Sequence, residues 1–149
     1  MLKKVVANRN GQRIIIMDTI TALTPDDIGA IVVSASHGGV SSAEFALACP
    51  LAAVFFNDAG VGKDNAGIAA LEMLQARGIA AGTVSHSSAR IGDSADAWSN
   101  GVISHVNPAA RKLGLEPGAN LRTMLTRVIA HQVIAGSSPM ARAGPGSEL

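Results

Sequence analysis

Apolar residues fall into short runs closed by small polar residues, and the spacing within each run separates strand from helix. Residues 3–8 and 12–18 have β-forming composition and flank Asn8-Arg9-Asn10-Gly11. Glycine after asparagine tolerates the positive φ of a tight turn, so an N-terminal β-hairpin is expected. Thr24-Pro25-Asp26-Asp27 reads as a helix start, with Thr as cap, Pro at the first position and acids facing the dipole. Gly29 must end that helix soon.

The pattern then changes. Residues 30–36 form a continuous apolar run closing on Ser34-Ala35-Ser36, as in a strand buried on both faces. Ser41-Ser42-Ala43-Glu44 has the form of a capping box, and Pro50 stops the short helix that follows. Residues 51–57 and 79–85 are two further buried strands. Between them Ile68, Leu71 and Leu74 recur at helical spacing until Gly78. Strands joined through helices return parallel, so 30–36, 51–57 and 79–85 are expected as adjacent parallel strands. The fold class is α/β: one domain over residues 1–135, a mainly parallel sheet, helices on both faces and the N-terminal hairpin.

Two readings compete over the next stretch. Val102-Ile103-Ser104-His105-Val106 reads as a strand, with Asn107 capping and Pro108 opening a helix to Leu113. Alternatively, Trp98, Val102, Val106, Ala109 and Leu113 lie near one face of a single long helix. Interior proline costs about 3 kcal/mol and its predecessor avoids the α region, which favours a break at Asn107. Leu121, Met124, Leu125, Val128 and Ile129 fit a helix packed on the sheet. From Gly136 the chain turns to Gly, Ser, Pro and Ala without periodicity, and an unstructured tail over 136–149 is expected.

Composition narrows the function. Of 149 residues, 48% are hydrophobic and 15% charged, with a net charge of +1, which excludes a disordered chain. Twelve Lys and Arg are offset by eleven Asp and Glu, so an electrostatic nucleic-acid partner is not expected. Three Phe, one Trp and no Tyr leave no stacking platform for bases. No apolar run reaches the ~18 residues of a membrane span, and the start lacks the apolar core of a secretory signal. Cys49 stands alone between apolar neighbours, where a buried, inert thiol is expected. A cytoplasmic protein without a membrane partner follows. Twenty-six alanines make thin side chains, so added burial in a homo-oligomer is expected as well.

The polar residues collect where the strands end, and in open parallel sheets that is where ligands bind. Residues 30–36 lead into Ser36-His37-Gly38-Gly39, and 79–85 into Ser85-His86-Ser87-Ser88. Each histidine follows a glycine by eight residues, Gly29 and Gly78, so the two Ser-His pairs occupy equivalent places. Gly38 and Gly39 let backbone approach a ligand, and Ser41 opens the helix behind them.

The middle strand ends Asn57-Asp58-Ala59-Gly60-Val61-Gly62-Lys63-Asp64. It is not a P-loop: Asn57 stands where that motif needs Gly, and Asp64 where it needs Ser or Thr. It is no dinucleotide fingerprint either, so no cofactor is expected. His37, Asp58 and His86 are the candidate catalytic residues, two imidazoles and a carboxylate for proton transfer. Ser36, Gly38, Gly39, Ser41, Asn57, Lys63, Arg90 and His105 are the candidate substrate-binding residues. Lys63 and Arg90 supply positive charge, with Asp93 as a surface partner for Arg90 in the plainer reading. His131 is read as structural.

The imidazoles and an aspartate would also suit a zinc ion, but the spacing carries no metal signature, and no metal is assigned. A serine nucleophile lacks its G-x-S-x-G elbow. The expected function is a small-molecule enzyme, a lyase, isomerase or hydrolase of a small anionic carboxylate. The alternatives are a non-catalytic ligand-binding or regulatory subunit, and a structural assembly protein.

Overall fold

A computed structural model describes residues 1–136. A six-stranded sheet lies at its centre, with strands in the order of the chain. These are β1 (Lys3–Arg9), β2 (Gln12–Met17), β3 (Ile31–His37), β4 (Ala53–Asn57), β5 (Ala80–Val84) and β6 (Ile103–Val106). The sheet is mixed. β2, β3, β4 and β5 run parallel to one another, whereas β1 pairs antiparallel with β2, and β6 antiparallel with β5. The expectation of a mainly parallel sheet therefore holds for the centre and not for the edges. The adjacent parallel strands expected over 30–36, 51–57 and 79–85 are β3, β4 and β5.

Local chemistry accounts for the turns and caps. Asn10 and Gly11 carry φ of 50° and 87°, the left-handed pair a two-residue turn between β1 and β2 needs. Thr24 and Pro25 open only a 3-10 turn, Pro25–Asp27, in which the Thr24 amide donates to Asp27 Oδ2 at 2.8 Å. The first long helix, α1 (Val40–Leu47), starts one residue before Ser41, with Gly39 in the capping position. Ser41-Glu44 is therefore not the capping box the sequence promised. Instead Ser42 Oγ donates to the His37 carbonyl at 2.6 Å.

Beyond it lie α2 (Ala69–Gln75), α3 (Ser94–Asn100), α4 (Pro108–Lys112) and α5 (Leu121–Gly136). Asn107 caps α4 by accepting from the Ala110 amide, with Pro108 at the first position, so the single long helix through residue 106 is excluded. α3 lies in the connection from β5 to β6, where the chain reverses. The chain leaves β5 and re-enters the sheet at the same end, with Ile103 level with Val84.

Alternate strand residues feed two apolar clusters, as a sheet's period of two requires. Ile15, Met17, Val32, Val54, Phe56 and Ala81 meet Ala43 and Ala46 of α1 and Leu71 and Leu74 of α2. Ile14, Ile16, Ile31, Val33, Phe55 and Val84 meet Trp98 of α3 and Leu121, Leu125, Val128 and Ile129 of α5. Cys49 is buried, and its thiol is pushed up by burial and by the nearby Asp27 carboxylate, as an inert cysteine would be. No helix among the described residues is long and apolar enough to cross a membrane. The expected tail beyond Gly136 lies outside the described residues.

Candidate functional site

Parallel register carries the ends of β3, β4 and β5 to one edge of the sheet, with His37 level with Asn57 and Asn57 level with Val84. Asp58 follows directly, and its amide donates to the Val84 carbonyl, which continues the β4–β5 ladder one step further. The side chain is held as firmly. Asp58 is buried, and its Oδ1 accepts from the Gly60 amide at 2.8 Å and from the His86 amide at 3.0 Å. The His86 ring closes over the same oxygen, with Nδ1 at 3.4 Å.

Burial pushes the Asp58 carboxyl up, but the donors outweigh it. The Gly60 amide, the Ser104 hydroxyl and the His86 amide and ring hold it below the usual carboxylate range. At neutral pH the group is therefore an anion and acts as an acceptor. A carboxylate cannot donate, so a hydrogen bond across this 3.4 Å contact would put the proton on His86 Nδ1.

The loop that supplies the Gly60 amide is unusual. Ala59, Gly60, Val61 and Gly62 all have positive φ, as do Asp64 and Asn65. For β-branched Val61 this is a costly conformation. It is held from below: the Val61 amide donates to the Asp58 carbonyl at 2.6 Å, and the Gly67 amide to the Val61 carbonyl at 2.7 Å. Gly67 lies so close beneath that a Cβ there would overlap the Asp58 carbonyl oxygen. Asn57, a candidate ligand by sequence, is buried in the same scaffold. Its amide group donates to the Ala89 carbonyl at 2.9 Å and its oxygen accepts from the Ala59 amide at 2.8 Å. Asn57 thus joins the β4 loop to the β5 loop and is spent on that role.

His86 and Arg90 share an open cleft of about 370 Å³, with Ser87, Ser88, Asp96 and Asn100 on its walls. The Arg90 side chain is exposed, and its guanidinium lies 3.7 Å from Asp96 Oδ2. The expected partner, Asp93, is occupied elsewhere, capping α3 through the Asp96 amide.

The remaining candidates are separate from this pair. His37 is exposed, and its ring lies against Gly39, with Nε2 2.9 Å from where a Cβ would stand. Among the described residues no hydrogen bond or ion pair links His37 to Asp58 or His86. Gly38 is explained by packing: a Cβ would lie 2.5 Å from the Gly67 carbonyl, and its amide already donates to the Asn57 carbonyl. The amide pocket expected at Gly38 and Gly39 is thus partly used by the fold itself.

Ser36 Oγ accepts from the Ile20 amide, which fixes the 3-10 turn that follows β2. Ser41 and Lys63 are exposed, Lys63 in the left-handed loop and Ser41 in the first turn of α1. His105 lies in β6 and lines a different cleft, with Asp64, Asn65 and Glu72. His131 is exposed on α5 beside Lys112 and Arg127, so it is no core residue. Among the described residues no three His, Cys, Asp or Glu side chains converge as a metal site needs.

Outside the sequence-derived set, the Ser104 hydroxyl is among the groups that hold the Asp58 carboxyl low, and it lies 2.8 Å from Thr83 Oγ1. A signal for Ser104 existed, as the third Ser-His pair in the chain; Thr83 had none. Comparison with protein-family models, with curated proteins and with solved structures finds no match, so the site is read from its own chemistry.

Proposed function

We propose that this protein is a small-molecule enzyme, a lyase, isomerase or hydrolase of a small carboxylate, with His86 as its proton-transfer group. The observation that carries this reading is the buried, ionised Asp58 bound to an exposed imidazole. A carboxylate so placed fixes the tautomer and orientation of its histidine and stabilises the imidazolium that proton abstraction creates. Asp58 then orients and stabilises, and His86 Nε2 does the exchanging. Arg90, across the same cleft, offers a bidentate clamp for the substrate's carboxylate once released from its long contact with Asp96. Lys63, in the loop that carries Gly60, adds a second positive charge to the approach. The sheet edge places His37 on the neighbouring strand end, where it serves as a substrate contact and not as a member of the pair.

The test is a panel of two- to five-carbon carboxylic, hydroxy and keto acids and their simple esters, followed by proton NMR in deuterated buffer. That readout sees both C–H exchange and conversion. The wild type is expected to act on at least one member, and His86→Asn and Asp58→Asn to lose ~100-fold or more. Binding at residues 86–90 with neither exchange nor conversion would make the protein a ligand-binding subunit and overturn catalysis. No response in any member would remove the carboxylate reading altogether.

A further inference from the structure

The cleft that holds His86 and Arg90 contains charge of both signs. The loop after β5 supplies His86 and Arg90 to its lining, and α3 supplies Asp96 and Asn100. The two ions are held very differently. The Asp96 side chain is 16% exposed and both its oxygens are tied: Oδ1 accepts from Asn100 Nδ2 at 2.8 Å, and Oδ2 from the Arg90 amide at 3.0 Å. The Arg90 side chain is 82% exposed, and its contact with Asp96 at 3.7 Å is too long for a hydrogen bond. Among the described residues its guanidinium has no closer partner. A fixed anion and a movable cation therefore share one cleft. Each Asp96 oxygen accepts one close bond and has capacity for another. Asn100 turns its nitrogen to Asp96, which leaves its carbonyl oxygen as one more acceptor. The Ser88 hydroxyl is spent on the Ser85 carbonyl and the Val102 amide.

We propose that the ligand of this cleft is a small α-amino acid, with its carboxylate on Arg90 and its ammonium on Asp96 and Asn100. The inference rests on the reading of Arg90 as a carboxylate clamp, and goes beyond it by assigning the ligand a second charge. The reason is electrostatic balance. The bonds from Asn100 and the Arg90 amide hold the Asp96 carboxyl below its usual range, so it is an anion at neutral pH. A simple carboxylate that drew Arg90 away would leave Asp96 without its cation and put two anions in one cleft, which weakens binding. A ligand with its own ammonium replaces the cation it takes. The charges then alternate: guanidinium, ligand carboxylate, ligand ammonium, Asp96. Arg90 and Asp96 stand nearly in contact, so the ligand's two charges must also be close, as they are across a single carbon.

The experiment is a ligand-observed NMR titration of the full-length protein with matched acids of two to five carbons. Each set holds an amino acid with its hydroxy and unsubstituted analogues, such as alanine, lactate and propionate. In at least one set the wild type should bind the amino acid ~10-fold or more tightly than its analogues, the effect of one good charge-assisted contact. Asp96→Asn keeps the volume and an oxygen for the Arg90 amide, and should remove that preference. Arg90→Ala should weaken all members. If the analogues bind the wild type as tightly as the amino acid in every set, the amino-acid assignment is overturned while the carboxylate reading stands. A full preference retained in folded Asp96→Asn overturns it equally. If no member of any set binds, the carboxylate clamp itself fails. The wild-type comparison needs no variant, so loss of folding in Asp96→Asn does not obscure it.

Discussion

Two strand ends in this molecule carry the same signal and come to different ends. His37 and His86 each follow a serine, and each lies four residues beyond a position of one aligned row, Val33 in β3 and Gly82 in β5. By count alone the two imidazoles should project equally far. They do not, because β3 is irregular between Val33 and His37: four residues advance while β4 advances two. The slack is taken up inside the sheet, where Ser34 Oγ donates to the Phe55 carbonyl and Ser36 Oγ accepts from Ile20. His37 is left level with Asn57 and folds over Gly39. β5 has no such slack against β4, so His86 clears the edge and closes over Asp58. A bulge decides which histidine meets the carboxylate.

This contrast can be broken most directly by turnover. His86→Asn should cost ~100-fold or more on any substrate the acid panel reveals, whereas His37→Asn should cost under ~10-fold and act through KM. Equal losses in kcat would restore the symmetry that the register denies.

Stability should divide the two ends in the opposite sense. Gly38→Ala puts a methyl 2.5 Å from the Gly67 carbonyl, a backbone atom that cannot step aside, and should cost about 2–3 kcal/mol in denaturant unfolding. Gly60→Ala, on the His86 side, meets only ring atoms at 3.6 Å or more. It should lose about 1 kcal/mol through its positive φ alone.

Acid sharpens the comparison further. The Asp58 carboxyl is held below its unfolded value, so its contribution is fully present above the ordinary carboxylate pKa and fades as pH falls through the folded one. Asp58→Asn should therefore be less stable than wild type at pH 7, with the gap narrowing as the pH is lowered into that range. Denaturant midpoints across the acid range measure the gap. Asp18 and Asp27 are depressed as well, by amide and hydroxyl donors and by Lys3 respectively, and they set a slope common to both proteins.

The smallest effect belongs to Arg90→Ala. Its side chain is exposed and its contact with Asp96 is long, so the melting temperature should hold while affinity for a small carboxylate falls. A fall in melting temperature with unchanged affinity would assign Arg90 to the surface alone.

The central strands were legible because apolar runs bounded by Gly and Pro leave few alternatives, and α5 because five apolar residues keep one helical face. The direction of β6 was not, since nothing in Gly101–Val106 says whether the preceding helix crosses the sheet or returns. The Ser41-Glu44 box misled because Gly39, already extended, starts the helix earlier. Within the site, Asp58 and His86 were found by the rule that polar residues after buried strands gather at one edge. Their exclusion of His37 was hidden, because a bulge leaves no mark in residue type. Thr83 reads as one more β-branched strand residue, and only its neighbours across the sheet give its hydroxyl a role.

The strand order has a consequence for how the chain is made. Because each strand lies beside its predecessor, the sheet can grow at one edge as residues are released from the ribosome, and no finished pair has to open to admit a later strand. The two members of the proposed pair are released far apart in that sequence. Asp58 is released long before its partners, and during the interval it is a carboxylate beside an open strand edge, with neither His86 nor Ser104 to hold it. The pair therefore comes into being only once β5 has docked on β4, and a chain released short of His86 would leave Asp58 with the Gly60 amide and without its imidazole.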